Sequence, residues 1–583
     1  MAALPNRPED FDTANHATVN GTNSNEEDLT RHVNGESSNN EVENIAADVI
    51  IIGGGFGGMY GMHQFRKLGL SVKLLEAGSS WGGTWHWNRY PGARVDSETP
   101  YYSLSIPEVY KDWTFTERFP GHEELRRYFQ HVDKTLDLSR DAYFNTIVTA
   151  ARYDTGTGQW HVKTDDPKRI ATCKYLVMAT GSSYKKHFPA FKNLDKFKGR
   201  LIHSALYPDT LDVSHKKVLV IGSGATGVQI VQTLAHDPTC QLTASIRTPN
   251  IALPMRQRQM SAEEQNAAKS FYQSVLQSAK QCSGGFPYNP APKAYHEATP
   301  AERRAHWEEI WGRGGFAFLL SNYREFLADK DINRELYAFW ADKVRARVRD
   351  PVKREIVAPA TQPHWLGTKR PSLEQDFYEM IDQEHVTLLD LQRRDIAEFT
   401  ASGVVTVSKS DENDRQHHDY DIVILATGYD SLTGSLLDAG LTDINDTPLS
   451  AKWRHGTYTY LGLTIPQMPN LFMVYSPQAP TALSNGPPII EIQIDWIAAA
   501  IAKMRAEGVK YIDARSAAAE EWRDDIQKMN NLTLFPETDS WYMGANVPGK
   551  PREQLVYLAG VDTYARVTRE ALDGWKGFDV VKA

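Results

Sequence analysis

Hydrophobic positions first gather at Ala47-Asp48-Val49-Ile50-Ile51-Ile52, an uninterrupted β-branched run of the kind a strand shows when both its faces are buried. The run leads into Gly53-Gly54-Gly55-Phe56-Gly57-Gly58. A stretch with helical spacing follows (Met59 to Leu68), then Gly69 and a second strand, Ser71 to Leu75, ending at Glu76. The unit recurs: Lys217 to Ile221, then Gly222-Ser223-Gly224-Ala225-Thr226-Gly227, a helical stretch holding Gln229, and the strand Gln241 to Ile246, ending at Arg247-Thr248. Between 253 and 365, apolar residues fall at helical spacing (Trp307, Ile310, Trp311; Leu336, Phe339, Trp340, Val344) and predict a helical insertion. Residues 1–45 are polar and nearly free of apolar periodicity, which predicts a disordered tail.

Both glycine runs satisfy G-x-G-x-x-G between a strand and a helix, so the predicted fold is α/β with two Rossmann-like dinucleotide-binding domains. Gly53 permits the tight turn, Gly55 lets a pyrophosphate approach the backbone, and Gly58 lets helix and strand pack closely. Glu76 is placed to accept a hydrogen bond from a ribose 2′-hydroxyl, whereas the guanidinium of Arg247 can hold a 2′-phosphate. The first site therefore suits FAD or NAD and the second NADP. Such a pair suits a hydride relay from NADPH through a flavin.

The 583-residue chain has 41% hydrophobic and 23% charged residues and a formal net charge of −9, which argues against a nucleic-acid partner. Cys173, Cys240 and Cys282 form no CxxC pair, so a metal site and a dithiol redox centre are not expected, and a reducing, cytoplasmic setting is. No charge-free apolar run approaches the roughly twenty residues of a membrane-spanning helix.

From about residue 47 onward the chain resembles the class B flavin monooxygenases, most closely the type I Baeyer–Villiger monooxygenases. Gly82-Gly83-Thr84-Trp85-His86-Trp87-Asn88-Arg89-Tyr90-Pro91-Gly92-Ala93-Arg94-Val95-Asp96 fits that family's G-G-x-W-x-x-x-x-[FY]-P-G-x-x-x-D pattern. Ala179-Thr180-Gly181, Ala426-Thr427-Gly428-Tyr429-Asp430, Thr368-Lys369-Arg370-Pro371, Ala482-Leu483-Ser484-Asn485 and the passage from Trp541 to Arg552 also fit. The signature F-x-G-x-x-x-H-x-x-x-W-[PD] is met by Phe197, Gly199 and His203, but Tyr207 stands where tryptophan is usual. Tyrosine there is closer to the flavin monooxygenases that oxygenate nitrogen and sulfur.

The resemblance implies FAD and NADPH as cofactors, O2 and a small-molecule ketone as substrates, and an ester or lactone as product, formed through a C4a-peroxyflavin. It assigns Arg370 as the cation beside the flavin and Asp96 as the carboxylate that orients it. FAD contacts would come from Gly53, Gly55, Phe56, Gly58, Glu76, Thr84, Trp85, Trp87, Asp96, Tyr102 and Val148. NADP contacts would come from Arg94, Asp96, Ser223, Gly224, Thr226, Gly227, Gln229, Arg247, Thr248, Lys369, Arg370 and Trp541, the last on a mobile loop. His203 is expected to couple domain movement to turnover, or else to be an ordinary hydrogen-bonded linker histidine. The expected plan is an FAD domain of 46–181 and 409–583, an NADP domain of 182–252 and 366–408, and an insertion of 253–365 that narrows the substrate cleft. The cluster Arg345, Arg347, Arg349 and Arg354 reads as solvated charge. No membrane partner is expected, and the chain is expected to be a monomer or weak homo-oligomer. Oxygenation of amines or sulfides is the alternative activity; a disulfide reductase lacks its dithiol, and a non-catalytic nucleotide-binding regulator has no use for Arg370 and Asp96.

Overall fold

The computed structural model describes residues 42–582. The first unit folds as β1 (Glu43–Ile52), α1 (Phe56–Lys67) and β2 (Val72–Leu75). β1 is a central strand, parallel to Arg169–Met178 on one side and to β2 on the other. Val49 and Ile51 pack against α1 and the helix Gly486–Ala506, and Ile50 packs on the other face with Tyr153 and Trp160 of two antiparallel strands, so all three are fully buried and no polar alternation is seen. The sheet has eight strands, and Val148–Asp154 and Gln159–Thr164 extend it as antiparallel neighbours.

β1 begins at Glu43, earlier than the hydrophobic run. Its first residues pair with Arg169 to Cys173, and Glu43 accepts a 2.8 Å hydrogen bond from Arg169 Nε. Partner pairing and charge, invisible to hydrophobic periodicity, extend the strand into the predicted tail. The rest of that tail, residues 1–41, lies outside the described residues.

The second unit is β3 (Lys217–Ile221), α2 (Ala225–Leu234) and β4 (Gln241–Ile246). Its five-stranded, all-parallel sheet runs in the order Val386–Asp390, β4, β3, Ile422–Leu425, Arg200–His203. The expected boundary at 408/409 is corrected by this pairing. Gly403–Ser408 and Arg415–Asp419 are neighbours in a three-stranded antiparallel sheet, and Ile422–Leu425 lies between β3 and Arg200–His203. We therefore place the return to the first domain after Leu425, at Ala426-Thr427-Gly428.

The insertion is helical. Pro300–Arg313 starts with a capping box, Thr299 with Glu302, and Lys330–Arg345 is capped by the Asp329 carboxylate. Trp307, Ile310, Trp311, Leu336, Phe339, Trp340 and Val344 form its core, with Phe318 and Phe339 stacked at 5.8 Å. The arginine cluster is not merely solvated. Arg347 grips the buried Glu374 and also Glu379, and Arg349 pairs with Asp382, so these two side chains staple the insertion to Leu373–Asp382, while Arg345 pairs with Glu355 within the insertion. Charge count alone could not reveal carboxylates that lie up to 33 residues away.

Candidate functional site

Each glycine loop is shaped by the chain at two positions and left open at a third. A Cβ on Gly53 (φ 111°) would lie 2.4 Å from the Ala179 carbonyl oxygen, and one on Gly58 would lie 2.1 Å from that of Gly53. In the second loop Gly222 (φ 122°) meets the Ala426 carbonyl at 2.2 Å, and Gly227 meets that of Gly222 at 2.0 Å. The middle glycines differ. Gly55 has only Gly83 Cα within reach, at 3.6 Å, and Gly224 has nothing within 4 Å. Packing therefore does not demand glycine at 55 or 224; open space above a helix N-terminus is what a pyrophosphate requires.

A cavity of about 700 Å3 runs from the first loop to the second unit. It brings together Gly53, Gly55, Phe56, Glu76, Thr84, Trp85, Trp87, Arg94, Asp96, Tyr102, Val148, Thr226, Gln229, Arg370 and Trp541. Glu76 sits at the end of β2, fully buried, and accepts hydrogen bonds from Gly54 N–H at 2.5 Å and Gly78 N–H at 2.6 Å. Burial raises its pKa and the two N–H groups oppose that rise. Trp85 Nε1 donates to the Tyr102 hydroxyl at 3.0 Å, and Tyr102 packs edge-on against Phe56. Arg94 is tied to Glu117 at 2.8 Å, while Tyr90 donates to Gln229 at 2.9 Å and thereby joins the 82–96 segment to α2.

Arg370 and Asp96, 274 residues apart, meet in this cavity. Nε and Nη2 of Arg370 both donate to Asp96 Oδ2, at 2.9 and 2.8 Å, and Nη1 donates to the Ala482 carbonyl. Phe316 lies under the guanidinium, 5.0 Å from its centre. Burial works against the arginine's charge, but the adjacent Asp96 carboxylate outweighs it and the pKa lies above the ordinary value. The cation is permanent and its direction is fixed.

Several predicted residues lie off the cavity wall. Gly58 and Gly227 are packed inside their own turns. Ser223 donates to the Thr248 carbonyl at 2.8 Å, closing the second loop against the end of β4. Arg247 is exposed and Lys369 half-buried; burial and then the Arg247 charge lower the Lys369 pKa, so two cations face one region. Among the described residues neither has an ion-pair partner, which leaves them free for an anion.

The signature residues stand at the crossing between domains. Phe197 is buried beside Phe399, and a Cβ on Gly199 would strike both the Phe197 ring and the Asp421 carbonyl, each at 2.5 Å. His203 is 1% exposed; its Nε2 donates to the Gly428 carbonyl at 3.3 Å, and its Nδ1 accepts from Ala205 N–H at 3.2 Å. Gly428 also accepts from His187 N–H, and Thr427 donates to the His187 carbonyl, so His203 fastens the second crossing to the first. Tyr207 is buried in the core of the second domain with its hydroxyl unpartnered, away from the cavity. The substitution there does not alter the reacting surface.

Burial lowers the pKa of both His203 and His86 to about 4. Unfolded histidines take up protons below about pH 6.5, and these folded ones do so only near pH 4. Stability is thus unaffected above pH 6.5 and is lost as pH falls towards 4, by up to roughly 3 kcal/mol for each ring. Thermal unfolding followed from pH 7.5 to 4.5 should show Tm falling chiefly below 6.5, and a flat Tm across that range would contradict the assignment.

The sequence reading missed other wall residues. Asn88, which accepts from the Tyr429 hydroxyl at 2.5 Å, and Tyr90 lie inside the 82–96 motif and could have been found there. Ser435, Asp438, Tyr475 and Ile490 carry no motif signal. No residue of 253–365 lines the cavity; the insertion touches the site from behind, through Phe316, rather than narrowing it as expected. A larger open cleft, about 1280 Å3, lies at the outer edge of the second sheet and reaches neither glycine loop nor Arg370.

Residues 47–271 match the family model for pyridine nucleotide-disulphide oxidoreductases, yet all three cysteines are free. The FAD-binding monooxygenase acrE of Aspergillus aculeatus is 41% identical over 93% of this chain and 90% of its own. Cyclopentanone 1,2-monooxygenase of a Comamonas species is 38% identical over 93% of this chain and 97% of its own. Cyclohexanone monooxygenase of Rhodococcus sp. Phi1, solved bound to NADP+, superposes with a TM-score of 0.87 at 32% identity, covering 93% of this chain and 100% of that one. With identity of 32 to 41% over more than nine-tenths of the chain, the chain belongs to the Baeyer–Villiger monooxygenases among the class B flavoprotein monooxygenases.

Proposed function

We propose that the Arg370–Asp96 cavity is where this chain, an NADPH-using, FAD-dependent monooxygenase, inserts one oxygen atom of O2 beside a ketone carbonyl to give an ester or lactone. FAD, when bound, supplies the acceptor for the NADPH hydride and the centre at which O2 is activated. Glu76 takes the adenosine ribose of FAD, and the open faces at Gly55 and Gly224 take the two pyrophosphates. Arg247, Thr248 and Lys369 take the NADP 2′-phosphate.

The observation that carries the reading is the state of Arg370. Oxygen insertion beside a carbonyl builds negative charge on oxygen, and a preorganised donor that cannot lose its proton stabilises that charge without rearranging. Asp96 fixes the direction of the guanidinium, and the Ala482 carbonyl restrains its third edge. The 541–552 segment bears Trp541 on the cavity and is anchored by Lys550 to Asp430 at 2.8 Å and by Asn546 to the Tyr429 carbonyl at 2.7 Å. Its anchors are the same crossing that His203 fastens, so closing the cavity and moving the domains use one set of contacts.

Oxygen uptake with NADPH and a panel of cyclic and linear ketones, with products identified, tests the reading; sulfoxide or N-oxide without ester would favour the alternative. Arg247→Ala should raise KM for NADPH by roughly 10- to 100-fold, the worth of a charge-assisted contact, and erode the preference over NADH. An unchanged NADPH-to-NADH ratio would remove Arg247 from the phosphate site. Within the described residues no helix is long and apolar enough to cross a membrane. A cytoplasmic monomer or weak homo-oligomer is our reading of the partners and is tested by sedimentation of the purified chain.

A further inference from the structure

Three residues between the strand Leu471–Met473 and Asn485 hold a left-handed backbone without being glycine: Tyr475 (φ 55°), Gln478 (φ 64°) and Ala482 (φ 65°). A bulky aromatic residue in that region costs on the order of 1–3 kcal/mol, so its surroundings must impose it. For Tyr475 they do. Its N–H donates to Oε1 of Gln493 at 2.8 Å, and Gln493, fully buried, donates in turn to the Tyr564 hydroxyl at 3.1 Å. The twist brings the Tyr475 ring onto the cavity wall with Arg370 and Asp96. There it faces Tyr102 across Gly486, whose added Cβ would lie 3.9 Å from both rings.

The hydroxyl of Tyr475 has one hydrogen-bond partner among the described residues. It accepts from Ala482 N–H at 3.4 Å, and Ala482 is the residue whose carbonyl receives Arg370 Nη1. The hydroxyl proton has no acceptor among the described residues. Burial keeps the phenol protonated, against the opposing influence of the Arg370 charge. A donor is therefore held, at a cost in backbone strain, beside a permanent cation and with nothing in the protein to donate to.

We propose that Tyr475 is a further catalytic residue, whose hydroxyl donates a hydrogen bond to the ketone oxygen beside Arg370. This rests on the ketone reading above and adds a second donor to the place where charge develops. No proton is transferred and no bond to the tyrosine forms: the O–H shortens its contact as the carbonyl oxygen gains charge, and relaxes when the carbonyl is restored in the ester. Two preorganised donors on one developing oxyanion stabilise it more than the neutral ketone, which accelerates the step. Sulfide oxygenation develops no such charge on the substrate and has no use for this donor. The hydroxyl therefore also biases the site towards ketones.

The test compares Tyr475→Phe with the unaltered holoenzyme on one cyclic ketone and on methyl phenyl sulfide, scoring ester against sulfoxide. A donor to a charged oxygen predicts that the ester-to-sulfoxide ratio falls roughly 10- to 100-fold. If both products fall together, Tyr475 merely positions the Ala482 loop, and if neither changes, its hydroxyl has no role; either result overturns the proposal. Should the phenylalanine variant fail to load flavin, 3,5-difluorotyrosine at 475 keeps the ring and acidifies the donor. An ester-to-sulfoxide ratio that shifts supports the proposal and an unmoved one overturns it. An unaltered enzyme that forms no ester from any ketone would instead defeat the underlying ketone reading, with Tyr475 not at issue.

Discussion

Replacing Arg370 by alanine leaves hydride transfer from NADPH to flavin in place and lowers ester formation by about 10²- to 10³-fold in kcat, the usual consequence of removing one preorganised donor from a developing oxyanion. The guanidinium's hydrogen bonds run to Asp96, Ala482 and Tyr542, and neither glycine loop is among its partners. Both cofactor sites should therefore survive the change. Asp96 is left partly buried without its partner, so some loss of thermal stability accompanies the loss of turnover. Arg370→Lys keeps a charge but not the planar fork that contacts both Asp96 and Ala482, and should recover only part of the rate. Stopped-flow reduction by NADPH, measured separately from ester yield, checks the claim: normal ester yield from the alanine variant would remove Arg370 from the chemistry.

The second large effect separates glycines that the chain needs from those that the ligand needs. Gly58→Ala places a Cβ 2.1 Å from the Gly53 carbonyl and 2.7 Å from Leu74, inside the contact of α1 with β2 and the turn that follows β1. Overpacking of this kind costs typically 1–3 kcal/mol and falls on the folded chain itself, with or without flavin. Gly55→Ala meets no atom closer than 3.6 Å, and its φ of −87° suits any residue. The apoprotein should keep its Tm, while bound flavin falls by an order of magnitude or more because the methyl group occupies the pyrophosphate's approach. Apoprotein Tm and flavin absorbance per mole of protein, measured on both variants, decide the matter. Equal losses of Tm would show that Gly55 too is a packing glycine.

Much of this architecture is legible in the residues because it is local. Each strand–glycine loop–helix–strand unit spans about thirty residues, and Glu76 or Arg247 follows at a fixed distance, so periodicity and spacing suffice. What was not legible was long-range. The strand Ile422–Leu425 reads as one more buried run, and only its hydrogen bonds to β3 and Arg200–His203 assign it to the second sheet. The pairing of Arg370 with Asp96 was reached through family resemblance; nothing in local spacing joins positions 274 residues apart. Tyr475 was invisible for another reason. Its role depends on a left-handed backbone imposed by Gln493, and an isolated tyrosine after a strand reads as core. Tyr207, the one departure from the signature, looked like evidence about chemistry and is a core residue of the second domain.

The crossings and the loop share one set of fastenings, contributed by motifs far apart in the chain. His203 and His187 meet at Gly428, Asn546 binds the next residue, Tyr429, and Lys550 binds Asp430. A change at any of these contacts alters how the second domain is held over the first.

Turnover of a cyclic ketone by the purified flavoprotein with NADPH under ¹⁸O2, with the product analysed by mass spectrometry, tests the central claim most directly. The account predicts a lactone carrying one ¹⁸O atom in the ring. NADPH consumption with hydrogen peroxide as the only oxygen product, for every ketone offered, would contradict it.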